Sequence, residues 1–168
     1  LRSVPRSSRR ISFPGRFHPS KGQDVMIRAL PRIVQEFPDV VVEFTGEGPL
    51  RGEMEALAAS LGMERHCKFL GFLGSLDEVK SLMGSAFVNV AMSRDEGFGL
   101  VVTEAFSMGT PVIGTTIPPF RDTIVDGDVG EPVTIDASFL DGFVSGTATV
   151  TLAAGSTAQL DLPGVLAS

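Results

Sequence analysis

Along residues 11–133, short β-rich apolar runs alternate with segments of helical length. Ile11 to Pro14 predicts a first strand. From Gln23 to Phe37, apolar residues recur at helical spacing: Val25, Ile27, Leu30, Ile33, Val34 and Phe37. Pro31 lies inside this helix and is expected to kink or split it. Val40 to Thr45 predicts the second strand, after a turn at Pro38-Asp39. Leu50 to Leu61 predicts a helix that Gly62 stops. Cys67 to Phe69 is the third strand and Leu76 to Met83 the third helix. Phe87 to Ala91 is a largely apolar run suited to a strand buried on both faces. Leu100 to Met108 is the next helix, closed by Gly109. Pro111 to Gly114 begins another strand, Arg121 to Val125 is a short helix, and Gly130 to Val133 a last strand.

This repeated order predicts an α/β fold with a doubly wound, Rossmann-like parallel sheet, helices on both faces. Ligands of such sheets bind beyond the carboxyl ends of the strands, so the loops leaving each strand carry the candidate chemistry. After Val133 the character changes. Residues 134–168 contain no Lys or Arg, and 19 of these 35 are Ala, Gly, Ser or Thr. The expected organisation is a linker remnant at 1–10, a ligand-binding domain at 11–133 and an atypical tail at 134–168. The tail reads as a hairpin about Ala153 to Thr157, the start of another module, or a disordered stretch, and it is assigned no chemistry.

A chain of 168 residues fits one domain with a real core. No apolar run approaches the roughly 18–20 residues that cross a bilayer. The opening LRSVPRSSRR is basic but lacks the apolar stretch of a signal peptide. With no initiating Met, it reads as a cut through a longer chain. The single cysteine, Cys67, reads as a buried strand thiol, which suits a reducing cytoplasm. A net charge of -6 argues against nucleic acid as the main partner. Yet 8 of the 14 Lys and Arg residues fall between Arg2 and Arg32, against one acid, Asp24. Arg2, Arg6, Arg9 and Arg10 read as a solvated linker. Arg16 and Lys21 stand apart from them.

Gly15-Arg16-Phe17-His18-Pro19-Ser20-Lys21-Gly22 follows the first strand. Arg16 can grip phosphate oxygens with a bidentate fork and Lys21 can add a point charge. Two surface cations explain the same residues. His18 has no evident partner and reads as a loop histidine. Thr45-Gly46-Glu47-Gly48-Pro49 ends the second strand; Arg51 stands where a dinucleotide fingerprint needs its third glycine, which disfavours an oxidoreductase. A tight turn and a ligand contact both explain Gly46.

Ser93 to Glu104, SRDEGFGLVVTE, is more informative. Gly97 and Gly99 should leave the amides from Phe98 to Val101 pointing outward at a helix N-terminus, an anion site without a basic side chain. Glu96 lies just before it. Glu104, about a turn inside the helix, either reaches the same cleft or is an ordinary acid favoured by the helix dipole. Carboxylates beside a phosphate site suit a ligand that also carries vicinal hydroxyls, as a nucleotide sugar does.

Together these segments resemble the donor domain of family-four retaining glycosyltransferases of the GT-B fold, from about Ile11 to Val133. The motifs are Gly15-Arg16 with Lys21-Gly22, Gly46-x-Gly48-Pro49, Phe69-Leu-Gly71, Glu96-Gly97-Phe98-Gly99-Leu100, Glu104-Ala105, Gly109-Thr110-Pro111-Val112 and Asp126-Gly127-Asp128-Val129-Gly130. The resemblance implies that Arg16 and Lys21 hold the donor diphosphate. It places Gly97 to Leu100 on the distal phosphate and sugar, Glu96 near the sugar, Glu104 on the ribose and Gly71-Phe72 beside the base. Gly46 would leave room for the ligand. Transfer of a hexose-type sugar with retention is implied, by front-face attack through an oxocarbenium-like state, with no metal and no cofactor beyond the nucleoside diphosphate sugar.

Three departures stand out. The family's acceptor domain and closing helices are not found, and Pro118-Pro119-Phe120-Arg121-Asp122 replaces a glycine-rich turn before a Glu, leaving Asp122 as a shorter stand-in. The chain alone is therefore expected to bind nucleotide sugar weakly and turn over little or not at all. A non-catalytic, truncated Rossmann-like scaffold or interaction module is the competing reading. A cytoplasmic location is expected, and the resemblance allows peripheral membrane association of the parent enzyme.

Overall fold

A computed structural model describes residues 7–123, 132–135, 148–151 and 158–160. The strands are β1 (Ser7–Pro14), β2 (Val41–Thr45), β3 (Cys67–Gly71), β4 (Ala86–Ala91), β5 (Val112–Thr115), β6 (Pro132–Ile135), β7 (Ala148–Thr151) and β8 (Ala158–Leu160). The helices are α1 (Gln23–Glu36), α2 (Arg51–Ser60), α3 (Leu76–Ser85), α4 (Leu100–Ser107) and α5 (Pro118–Thr123). Short 3-10 turns at Pro19–Lys21 and Glu64–His66 lead into α1 and β3.

The sheet order is β3-β2-β1-β4-β5-β8-β7-β6. From β3 to β5 all pairings are parallel, as the alternation of strand and helix predicts. The chain winds outward from β1 to β3, then returns to place β4 on the other side of β1. The β1/β4 boundary is thus the topological switch point. Beyond β5, β8 pairs with it parallel, and β7 and β6 follow antiparallel.

Two apolar cores sandwich the sheet. One lies under α1 and α2 and centres on Phe13, Phe17, Phe44 and partly buried Phe69, whose neighbouring ring centroids lie 5.2 to 6.3 Å apart. Each such buried ring contributes about 1.5–3 kcal/mol. The other joins Met83 of α3, Val102 and Ala105 of α4, Val112 and Phe120.

Several elements depart from the sequence expectation. β1 begins at Ser7 rather than Ile11, so Arg10 is not part of a solvated linker. Its guanidinium donates to the buried Glu43 carboxylate at 3.0 and 2.6 Å, and that partner draws a polar segment into the sheet. Arg9 pairs with Asp39 at 3.2 Å and lies over the Phe37 ring. α1 runs through Pro31 unbroken. Met26, Ile27 and Leu30 bury its inner face on the turn before the proline, and that packing outweighs one missing backbone bond. α5 starts at Pro118 rather than Arg121, because the first helical positions have no intrahelical N–H to lose. β6 lies at 132–135 where 130–133 was expected. The Asp126–Gly130 motif and 153–157 lie outside the described residues. Cys67 is buried in β3, as expected.

Candidate functional site

The carboxyl ends of β1 and β4 open onto a cleft of about 400 Å³ at the switch point. Gly15, Arg16 and Lys21 line it from the β1 side; Ser93, Glu96, Phe98, Gly99, Leu100 and Val101 line it from the β4 side. The volume lies in the range of small-molecule sites.

The β1–α1 loop is held by its own side chains. Phe17 is fully buried in the aromatic cluster and its amide donates to the Glu47 carbonyl at 3.1 Å. Buried Gln23 donates its amide to the Arg16 carbonyl at 2.9 Å. With its backbone fixed on both sides, Arg16 projects an exposed guanidinium that has no partner among the described residues. His18 caps the following 3-10 turn: its Nδ1 accepts from the Ser20 amide at 3.3 Å and lies 2.9 Å from Ser20 Oγ. That gives His18 a structural partner, in keeping with a loop histidine.

Across the cleft, Lys21 Nζ forms an ion pair with Glu96 Oε1. The same oxygen accepts a 2.9 Å hydrogen bond from Ser93 Oγ, and the Ser93 carbonyl in turn accepts from Thr115 Oγ1 at the end of β5. The Glu96 side chain is only 14% exposed, so its carboxylate is held in place by two donors.

α4 begins at the rim of the cleft. Its N-cap, Gly99, has the left-handed φ of 76° and no side-chain cap bond. The first-turn amides and the positive end of the helix dipole are therefore open to an anion, without competition from a capping side chain. A side chain at Gly99 would overlap the Phe120 ring, so this helix start accepts only glycine. The arrangement as a whole is two cations and a helix N-terminus around space for an anion, with one oriented carboxylate as an acceptor beside it.

Of the sequence candidates, Gly15, Arg16, Lys21, Glu96, Phe98, Gly99 and Leu100 meet in this cleft. Gly46, Phe72, Gly97 and Glu104 do not line it. Gly46 stands behind: it has φ 109°, its amide donates to the Gly71 carbonyl at 2.8 Å, and an added Cβ would lie 2.5 Å from the Gly15 carbonyl oxygen. It lets the β1 and β2 loops stack. Phe72 is 78% exposed on the loop after β3, Glu104 is half-buried in the second turn of α4, and Gly97 is exposed with nothing within 4 Å of an added Cβ.

Sequence reasoning missed Phe17, Gln23, Ser93, Thr115, Arg94 and Asp24. A large aromatic inside a Gly/Pro-rich loop was a usable signal for Phe17. Ser93 and Gln23 reach groups only three and seven positions away, through bonds that polar residues in a loop do not announce, while Thr115, Arg94 and Asp24 act through partners distant in the chain. Among the described residues, no group of three or more His, Cys, Asp or Glu could hold a metal ion. No helix of the described residues is long and apolar enough to cross a membrane.

Comparison with known proteins bears on the family and the fold. Residues 3–138 match the profile of the family described as glycosyl transferases group 1. The phosphatidyl-myo-inositol mannosyltransferase of Mycobacterium tuberculosis (strain H37Rv) is 33% identical over 155 residues, covering 86% of this chain and 39% of that protein. The chain thus spans about two fifths of the length of that relative. Among solved structures, the C-terminal domain of the group 1 glycosyl transferase LpcC from Francisella tularensis superposes with a TM-score of 0.64 at 27% identity, covering 73% of this chain and 65% of that one. Anabaena HepE in complex with UDP and glucose gives 0.62 at 27% identity, covering 73% of this chain and 33% of that one. With the profile spanning most of its length and a relative one third identical across 86% of it, the chain belongs to the glycosyl transferases of group 1.

Proposed function

We propose that this chain is the donor-binding part of a retaining hexosyltransferase and that its cleft takes the diphosphate and sugar of a nucleoside diphosphate sugar. The observation that carries this is the convergence of Arg16, Lys21, Glu96 and the uncapped start of α4 on one cleft. A diphosphate needs cationic forks and backbone amides; a sugar needs a fixed acceptor for its hydroxyls. The names of relatives support the class, since the mycobacterial protein is a mannosyltransferase and the Anabaena structure contains UDP and glucose.

In this reading Arg16 and Lys21 bind the diphosphate oxygens and the α4 amides bind the distal phosphate. The bond from the anomeric carbon to that phosphate breaks, and the acceptor hydroxyl oxygen attacks from the same face. Its proton passes to the departing phosphate oxygen. Charge grows on the leaving diphosphate as the bond stretches, so preorganised cations and amides lower the barrier there. Glu96 accepts hydrogen bonds from sugar hydroxyls. Glu104 and Phe72, outside the cleft, would serve ribose and base only where an extended ligand reaches past the α4 rim or the β3 loop. The acceptor would be recognised by groups other than those of this cleft.

Calorimetric titration with UDP, GDP and ADP sugars tests the reading. Saturable binding by one of them, lost in Arg16→Ala/Lys21→Ala, is expected. A chain that unfolds cooperatively yet binds none would instead be a scaffold or interaction module.

A further inference from the structure

The two walls of the cleft come from loops more than seventy residues apart, and Lys21–Glu96 is not their sole connection. Arg94 lies two positions before Glu96. Its Nη1 and Nη2 donate to both carboxylate oxygens of Asp24, in the first turn of α1, at 3.0 and 2.8 Å. Nη1 also donates to the Pro19 carbonyl at 2.7 Å, and the Arg94 amide donates to the Ser20 carbonyl at 2.7 Å. Four bonds from one residue therefore bind the β4–α4 loop to the segment that carries Lys21.

We propose that Arg94 is a positioning residue for the donor cleft, a clamp that holds Glu96 and Lys21 at one separation. The proposal rests on the donor-site reading above. Only a guanidinium fits the task, because its planar fork serves a carboxylate through two nitrogens while a third hydrogen reaches a carbonyl. Lysine offers a single nitrogen to both partners. The side chains of Arg94 and Asp24 are 40% and 32% exposed, so solvent screens the pair and its net contribution to folding is small. What four directed bonds do in that setting is restrict the loop. A ligand that must touch both walls then finds them already spaced, and less ordering is needed on binding.

The full chain tests this with Arg94→Ala, Arg94→Lys, Asp24→Asn and the double variant Arg94→Ala/Asp24→Asn. Arg9→Ala is the control, since it removes an exposed ion pair to Asp39 on another part of the surface. Two readouts are needed: affinity for UDP, GDP and ADP by calorimetry, and amide hydrogen exchange. Arg94→Ala should weaken the nucleotide that binds by about tenfold, Arg94→Lys by less, and the double variant by no more than Arg94→Ala. Exchange at position 94, whose amide donates to the Ser20 carbonyl, should speed up, while β1 and β4 keep their protection and the thermal midpoint stays with that of Arg9→Ala. Affinity within about twofold of the parent together with unchanged exchange overturns the clamp, as does a loss that Arg9→Ala reproduces. If the parent chain binds none of the three nucleotides, the donor-site reading falls, and exchange alone decides: lost protection at position 94 supports the clamp, retained protection overturns it.

Discussion

Lys21 and Glu96, 75 positions apart, form an ion pair across the cleft between β1 and β4. A cation read as a phosphate ligand and a carboxylate read as a sugar ligand are thus each other's partners. Any diphosphate entering the cleft competes with Glu96 for Lys21.

That competition sets the sign of a substitution. Glu96→Gln removes a negative charge beside the phosphate position and frees Lys21, so affinity for a nucleoside diphosphate without sugar should rise by about three- to tenfold at low salt. The added affinity that a sugar confers should fall, because the oriented acceptor is weakened. Calorimetry with UDP and UDP-glucose, or the GDP pair, reads both. A drop in nucleoside diphosphate affinity on Glu96→Gln would contradict the competition.

Two glycines of the candidate set should behave differently. Gly46→Ala forces a side chain into a left-handed backbone and against the Gly15 carbonyl at 2.5 Å, and should cost about 2–4 kcal/mol of stability. Gly97→Ala meets nothing within 4 Å and should change stability by less than about 0.5 kcal/mol. Denaturant midpoints at constant m-value separate the two.

Cys67 supplies a pH dependence. Burial, and secondarily the nearby Glu64 charge, pushes its thiol up from the ordinary range to about 12. The folded chain keeps the proton that the unfolded chain releases above the ordinary thiol range. Its contribution is therefore complete below pH 9 and declines as pH rises towards 12. Between pH 8 and 10.5 the parent should lose more stability than Cys67→Ala, by up to about 2 kcal/mol. Iodoacetamide at pH 8 should label Cys67 at the rate of unfolding and not at that of an exposed thiol.

How far the sequence could be read depended on the range of each interaction. The alternation of apolar runs marked β1 through β5 and α1 through α4, because burial on a sheet or helix face imposes its period on neighbouring residues. The Glu96-Gly97-Phe98-Gly99 loop stood out because glycines directly before an apolar helix signal an uncapped start. Pro31 misled, since its local penalty is smaller than the packing of Met26, Ile27 and Leu30 that a tertiary fold supplies. Arg10 misled in the opposite direction. Nothing next to it in sequence reveals Glu43, 33 residues away, as its partner.

The sequence by itself determined the elements, the parallel class of the sheet and the short loops that carry Arg16, Lys21 and Glu96, because turns, caps and hydrophobic periods are properties of adjacent residues. Tertiary structure decided which loops face each other. Placing β4 beside β1 brings Glu96 to Lys21 and Arg94 to Asp24, and leaves Phe72 and Glu104 outside the cleft. The physical reason is that the order of β1 to β5 arises from burying both faces of that sheet under helices, a sum over many segments that no single one contains.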